Sequence, residues 1–276
     1  MAGHLTVAAA APVVARKING ERIVLLGWAP AILAQLAHPL VAAGVLEHSS
    51  FRASPVQRAR RLKSTIESML ALTFGTPARA ETAAARINAI HDRVNGVLPD
   101  AAGPFPTGTP YSAHDPELLR WVHATLLDTL PRAYELFVGP LSDAEKDRYC
   151  LEATGMAPLL GVPPDFFPAS QAALRAYMDG VRASGQLVVT PGAREVARAL
   201  LYPASTPLAA PGLLLARLPA VGLLAPELRH AYGLRWTPRH AAALRVTAAL
   251  ARRGLQLAPA PLRRWPAARG RDFACG

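Results

Sequence analysis

The sequence predicts an all-α protein, and three observations support this fold class. Hydrophobic residues make up 51% of the 276 residues, which is ample for a sizeable buried core. Ala and Leu are abundant, whereas aromatic residues and β-branched runs are few, and this composition favours helices over strands. The 26 prolines are spread along the chain, where they separate helical segments. Since neither an internal repeat nor a clear linker is visible, we expect a single globular helical domain over residues 1–276.

The first long element is a segment without charged residues from Ile23 to Leu46. Its length would span a bilayer, but Pro30 and Pro39 interrupt it, and Gln35 and His38 are polar. The segment therefore predicts two buried helices joined near His38 and Pro39, with a membrane span as the alternative.

A polar cluster, Glu47 to Ser50, follows directly and indicates either a helix exit or the wall of a pocket. The next helix is predicted from Pro55 to about Phe74. Arg61 and Thr65 lie one turn apart on it and face the same side. Either Thr65 hydrogen-bonds its own helix while Arg61 lies at the rim, or the two form a polar pair over a bound cofactor.

A histidine occupies a core position in the helix predicted over residues 78–95. The apolar stripe of this helix consists of Ala84, Ile87, His91 and Val94. Asn95 and Gly96 are predicted to end the helix, with Gly96 as a left-handed cap. An inward imidazole is either a hydrogen-bonded core residue or a ligand for a transition metal or haem, and this pattern leaves both open.

The second half of the chain predicts further helices with clear start signals. Asp115 and Pro116 suit the N-cap and first position of a helix that runs to about Val138 and carries a second inward histidine, His123. The other expected helices begin after Ser142 and contain Cys150, begin at about Ser170, span Pro191 to Leu201, and span Pro238 to Arg253.

The net charge of +11 is concentrated near the end of the chain. Residues 229–271 contain ten arginines and no acidic residue. Such a segment attracts anionic membranes or nucleic acid, or it is simply a solvated basic face. Because no aromatic-interleaved RNA-binding motif accompanies it, we expect no specific nucleic-acid partner.

The cysteines and the N-terminal residues predict a cytoplasmic protein. Cys150 and Cys275 show no zinc-site spacing and suit a reducing compartment. Arg16 and Lys17 follow the first apolar run instead of preceding it, which is the wrong order for a secretory signal. Peripheral membrane association through the basic segment is compatible with this location.

Several catalytic motifs are missing from the sequence. GxSxG, the P-loop, GxGxxG and HExxH do not occur. A di-iron bundle needs two Glu-x-x-His pairs, and the chain has one, Glu227 and His230. The remaining pattern is an apolar helical environment with an inward histidine and few polar groups, which is what a haem site requires.

Four stretches carry a family resemblance: LAQLAHPLVAAGVLEHSSFR, RLKST followed by FGT, IHDRVNG, and YSAHDPELLRWVHATL. Together, over about residues 20–200, they resemble the MpaB and latex-clearing (rubber) oxygenase catalytic domain. The resemblance implies a globin-like core that holds haem b. It assigns His91 as the axial ligand, Arg61 and Thr65 as a distal pair, and Glu47 as the counterpart of a distal glutamate.

The resemblance also implies an activity, that of a haem b-dependent oxygenase acting with dioxygen on a small apolar substrate such as an alkene or isoprenoid. Arg61 and Thr65 would donate hydrogen bonds to the oxygen, and Glu47 or His48 would remove an allylic proton.

His123, then His38 and His48, are the competing ligand candidates. The rubber-cleaving members share arginines three residues before and four after the axial histidine, where this chain has Asn88 and Asn95. Polyisoprene cleavage is therefore not expected.

Two alternatives remain at this point. One is a haem-binding sensor or carrier without turnover. The other is a helical lipid-binding or membrane-surface protein whose histidines are core residues.

Overall fold

The structure is a computed structural model that describes residues 12–48, 55–163, 165–202 and 210–269. Its helices are α1 (Val13–Asn19), α2 (Trp28–Leu36), α3 (Pro39–His48), α4 (Pro55–Phe74), α5 (Pro77–His91), α6 (Pro116–Phe137), α7 (Asp143–Ala153), α8 (Gln171–Ala183), α9 (Pro191–Leu201), α10 (Ala210–Gly222), α11 (Pro226–Ala231), α12 (Pro238–Leu257) and α13 (Ala260–Arg263). The prediction of an all-α fold is confirmed. Short 3₁₀ turns at Arg22–Gly27, Thr154–Met156, Pro158–Leu160 and Pro266–Arg269 complete the helical part.

Local capping explains why many predicted boundaries are correct. The Asp115 carboxylate accepts hydrogen bonds from the backbone N–H groups of Glu117 and Leu118, and Pro116 opens α6 as predicted. Ser142 and Glu145 form a reciprocal capping box at the start of α7. These signals lie within a few residues of each helix start, so they can be found in the sequence alone.

The end of α5 differs from the prediction. The helix stops at His91, and Asn95–Val97 forms a strand, β1, that pairs antiparallel with β2 (Pro110–Ser112). Gly96 is opposite Tyr111 and does not have the positive φ of a left-handed cap. A Cβ at Gly96 would lie 2.6 Å from the Tyr111 hydroxyl, so glycine is needed there for close approach, not for a helix cap.

The core is centred on α2 and α6, which pack against each other and against the 3₁₀ turn at Arg22–Gly27. Trp121 and Phe137 of α6 are almost fully buried.

As predicted, the charge-free segment forms two helices, which break between Leu36 and Pro39. In the part of the chain described here, no single helix is long and apolar enough to cross a membrane. Residues 22–36 and 39–48 meet the length and composition test only as a pair, bent by 109°.

The basic C-terminal segment packs back onto the beginning of the chain. The backbone N–H of Trp265 donates to the Gly20 carbonyl at 3.0 Å. The side chains of Arg263 and Arg264 lie 3.1 and 3.6 Å from the buried carboxylate of Glu21. Much of the segment that looks like a free tail in the sequence is therefore an integral part of the fold.

Candidate functional site

His91 lies at the C-terminal end of α5 with its side chain partly buried. Burial lowers the pKa of the imidazole, the nearby His114 lowers it further, and Asp92 opposes both. Among the described residues the Nδ1 atom of His91 is buried without a hydrogen-bond partner. The ring is therefore neutral, with an unpaired nitrogen, and neutral imidazole is the form that binds a metal.

A second histidine packs against His91. The His114 ring meets the His91 ring edge to face, with 5.7 Å between the ring centroids. His114 is itself held by the Asp92 carboxylate, whose Oδ1 lies 2.8 Å from its Nε2. Asp92 thus orients His114, and His114 restricts the rotation of the His91 ring.

Arg61 and Thr65 lie on α4, which packs against α5 through the short turn at Gly75 and Thr76. Arg61 is 14 residues before Gly75, and His91 is 15 residues after Thr76. Since both helices rise by about 1.5 Å per residue from the same turn, Arg61 and His91 lie at similar distances along their helices from that turn. Thr65 is one turn closer to the connection.

The surroundings of this pair are open and partly apolar. Arg61 and Thr65 are exposed, and the Thr65 hydroxyl donates to the Arg61 carbonyl at 2.9 Å. The local hydrogen bond that the sequence allowed for Thr65 is thus present. Leu62 and Ile90, the neighbours of Arg61 and His91 in the chain, are each 52% exposed. An apolar ligand at this end of the helix pair would cover such side chains.

Glu47 and His48 lie at the end of α3, beside the β-strand pair that follows His91. The buried hydroxyl of Tyr111 donates a short hydrogen bond to Glu47 Oε2 and lies 3.3 Å from His48 Nε2. His48 Nε2 is 3.0 Å from the carbonyl oxygen of Asn95. Because a carbonyl only accepts, this nitrogen carries the proton. The structure thus joins Glu47 and His48 to the chain four residues beyond His91.

Tyr111 is suited to hold the Glu47 carboxylate in place. Burial, followed by the hydrogen bond to Glu47, raises the pKa of the phenol well above its usual value. Tyr111 therefore stays protonated and remains a donor. The Glu47 side chain is 60% exposed, so its carboxylate remains accessible to solvent.

His38 and His123 have aromatic neighbours, and in each ring one buried nitrogen, His38 Nδ1 or His123 Nε2, also has no hydrogen-bond partner among the described residues. His38 is buried, lies 5.2 Å from the Phe105 ring, and lines a cavity of about 300 Å³ together with Trp121 and Tyr177. His123 is buried and stacked on Phe167 at 4.1 Å. Burial lowers the pKa of each imidazole to about 4, so both are neutral at physiological pH.

Sequence reasoning missed Tyr111, Asp92 and His114 as members of this neighbourhood. All three belong to the motifs IHDRVNG and YSAHDPELLRWVHATL that carry the family resemblance. Tyr111 alternates with its less buried neighbours Pro110 and Ser112, which is the period of a strand. That strand is only three residues long, so its pattern could not be distinguished from a loop.

The donor set suits haem better than a bare metal ion. Among the residues that the structure describes, no group of three or more His, Cys, Asp or Glu side chains could hold a metal. Haem iron takes four nitrogens from its own ring, so one histidine is enough. The neutral His91 with its unpaired Nδ1 fits this requirement, and so do the rings of His38 and His123. Cys150 does not, because burial raises the pKa of its thiol to about 11.

Asn88 and Asn95, which replace the arginines of the rubber-cleaving pattern, have local structural contacts. The Asn88 amide donates to the Leu159 carbonyl at 2.9 Å. The Asn95 amide donates to the Asp92 carbonyl at 3.1 Å and so closes the turn after α5. In this chain the two positions fix the backbone around His91 and do not add positive charge.

The comparison with known proteins agrees with these motifs. Residues 15–253 match the family described as "ER-bound oxygenase mpaB/B'/Rubber oxygenase, catalytic domain". Comparisons with curated proteins and with solved structures give no significant match. The family match covers most of the chain and contains every candidate site residue. The chain therefore belongs to the mpaB/rubber oxygenase catalytic-domain family.

Proposed function

We propose that this protein is a haem b-dependent oxygenase that acts with dioxygen on a small apolar substrate, and that His91 is the iron ligand. Membership of an oxygenase catalytic-domain family supports the reaction class. The cofactor assignment rests on the place of His91 in the motif IHDRVNG, together with a ring that is neutral, partly buried and has an unpaired Nδ1 among the described residues. An unpaired buried nitrogen is costly, and a ligand would offset that cost.

Haem bound at His91 would supply an iron centre for the activation of dioxygen. The side chains around it have separate tasks. Asp92 and His114 restrict the His91 ring to one orientation. Arg61, on the neighbouring helix at a similar distance from the connecting turn, offers a permanent positive charge and several N–H donors. The Thr65 hydroxyl can rotate away from the Arg61 carbonyl and donate to a ligand instead.

Glu47 is the candidate base of the proposed reaction. Its carboxylate is held by the Tyr111 hydroxyl but keeps oxygen lone pairs that can accept a proton. Its exposure to solvent provides a route by which the proton can leave. His48 donates to the Asn95 carbonyl, and this contact fixes its ring beside Glu47.

The apolar character of the substrate is inferred from the surroundings of His91. Leu62 follows Arg61 in the chain and Ile90 precedes His91, and each is a large apolar side chain that is 52% exposed. Asn88 and Asn95 stand where the rubber-cleaving members have arginines, so we propose a short alkene-like or isoprenoid-like substrate in preference to polyisoprene. Localisation in the cytoplasm remains part of the proposal.

The test is the visible spectrum and haem content of the purified protein and of two histidine variants. Wild-type protein should contain haem and show a Soret band. His91→Ala should purify largely without haem, or with an altered spectrum that added imidazole restores. His123→Phe should keep the wild-type spectrum, because His123 has a separate aromatic environment.

Three outcomes would contradict the proposal at different points. A His91→Ala protein with full haem content and an unchanged spectrum would remove His91 as the ligand. A wild-type protein that is incubated with haem, freed of unbound haem by gel filtration and then shows no Soret band would favour a haem-free lipid-binding role. A haem protein that consumes no dioxygen with any short alkene would favour a sensor or carrier.

A further inference from the structure

Helix α12 is apolar on two opposite faces. Leu244 and Ala248 are buried on the inner face, where α12 packs against α6 and α10. On the outer face Val246, Leu250 and Leu257 are 59%, 63% and 88% exposed. A surface helix normally carries polar residues on its solvent side, so an outer apolar stripe needs an explanation.

The exposed side chains form one continuous stripe. At 100° per residue, positions 246, 250, 253 and 257 fall within an arc of about 60°. The arc lies opposite Leu244 and Ala248. Arg253 lies at one edge of this arc, between Leu250 and Leu257 along the chain, and Arg239 lies on the same side about two helical turns before Val246. The surface is defined here as the outer face of α12: Arg239, Val246, Leu250, Arg253 and Leu257.

The charge of this face is entirely positive. Arg239, Arg245 and Arg253 are exposed, and residues 228–271 contain no acidic side chain. Other arginines of the same segment are used inside the protein. Arg252 donates to the Leu136 carbonyl at 3.1 Å, while Arg263 and Arg264 pair with Glu21. The fold thus separates internal arginines from those that point outwards.

We propose that the outer face of α12 docks on an anionic lipid surface. Leucine and valine side chains would enter the boundary between headgroups and acyl chains, while the long arginine side chains reach the phosphate level. A second copy of this chain is a poorer occupant, because two such faces would bring arginines together without a carboxylate between them. An anionic bilayer supplies the missing negative charge.

The test is co-sedimentation with vesicles of phosphatidylcholine alone and of phosphatidylcholine mixed with phosphatidylserine. Wild-type protein should bind the mixed vesicles in a salt-dependent manner and leave the neutral vesicles in the supernatant. Arg239→Gln with Arg253→Gln should weaken binding by about fivefold for each arginine removed. Leu250→Ser with Leu257→Ser should weaken it by about tenfold or more.

Matched controls come from exposed residues on other helices. Leu151→Ser on α7, where the leucine is 49% exposed, and Arg175→Gln on α8 should bind as wild type does. Because all these residues are exposed, circular dichroism should show unchanged helicity. The readout needs no turnover, so it is independent of the proposed oxygenase activity.

Two results would overturn the proposal. One is equal binding of wild type, face variants and controls, or equal binding to the two vesicle compositions. The other is a dimer in sedimentation velocity that Leu250→Ser with Leu257→Ser converts to a monomer, without vesicle binding by wild type. That result would assign the face to a second copy.

Discussion

At the scale of single residues, two threonines on neighbouring helices make the same hydrogen bond to their own helix. Comparing their alanine variants therefore distinguishes an effect on catalysis from an effect on stability. Thr65 donates to the Arg61 carbonyl at 2.9 Å, and Thr82 donates to the Ala78 carbonyl at 2.8 Å. Both threonines are exposed. Replacing either by alanine should change the free energy of unfolding by at most about 0.5 kcal/mol. Only Thr65 lies on the helix that carries Arg61.

We expect Thr65→Ala to lower the oxygenation rate by about 100-fold with haem retained, because a positioned donor stabilises developing negative charge. Thr82→Ala should leave the rate unchanged. Arg61→Ala should behave as Thr65→Ala does, with Arg60→Ala as its exposed neighbour control. Single-turnover rates with a short alkene measure this directly. Equal rates for Thr65→Ala and Thr82→Ala would remove Thr65 from the oxygen-binding side.

At this scale the sequence identifies residues better than it identifies their contacts. His91, Arg61 and Thr65 stand out through position on a helix and through the motifs around them. Tyr111 and His114 acquire a role only when β2 and the loop before α6 fold against α3 and α5. Those contacts join residues up to 64 positions apart in the chain, so no local sequence pattern predicts them.

At the scale of elements, the C-terminal segment is tied to the start of the chain by a buried carboxylate. Glu21 is 4% exposed, and Arg263 and Arg264 are its charged neighbours. Replacing both arginines with methionine should lower the free energy of unfolding by about 3 kcal/mol or more, because an unpaired buried charge remains. Urea denaturation monitored by circular dichroism measures the change.

Two variants control this experiment. Arg245→Met removes an exposed arginine of α12 and should have little effect on stability. Adding Glu21→Gln to the double arginine variant should recover part of the loss, since the neutral amide costs less to bury. If the double arginine variant is as stable as Arg245→Met, the segment does not depend on Glu21 for docking.

Element boundaries show where local rules succeed and where they fail. Starts marked by Asp115, Ser142 and Ser170 are correct because each cap bonds to backbone N–H groups two or three residues away. The end of α5 is wrong by four residues because β-pairing with β2 competes with helix continuation. For the C-terminal segment the sequence offers charge as its main signal. Charge does not reveal that Arg263 pairs with the buried Glu21, 242 residues earlier in the chain.

At the scale of the whole molecule, two buried histidines make stability depend on pH. The pKa values of His38 and His123 are lowered to about 4 by burial, against about 6.5 in an unfolded chain. Between these values the unfolded state binds more protons, so stability falls as the pH decreases. Each histidine should contribute a loss of about 2 kcal/mol between pH 7 and pH 5.

Urea denaturation at the two pH values checks this expectation. His123→Phe should remove about half of the loss that the two histidines cause, because phenylalanine does not titrate and can stack on Phe167. A variant with the same pH dependence as wild type would show that His123 titrates normally in the folded state.

The exposure of residues 60–65 of α4 has a consequence for affinity. Every residue from 60 to 65 is exposed, whereas Leu70, further along the helix, is buried. The stretch 60–65 therefore buries little apolar surface, which is typical of segments with a low free energy of local opening. A ligand that engages Arg61 must hold it in one rotamer, at a cost of about 0.5–1.5 kcal/mol. The conformational entropy of the Arg61 side chain thus enters the dissociation constant of whatever binds beside His91.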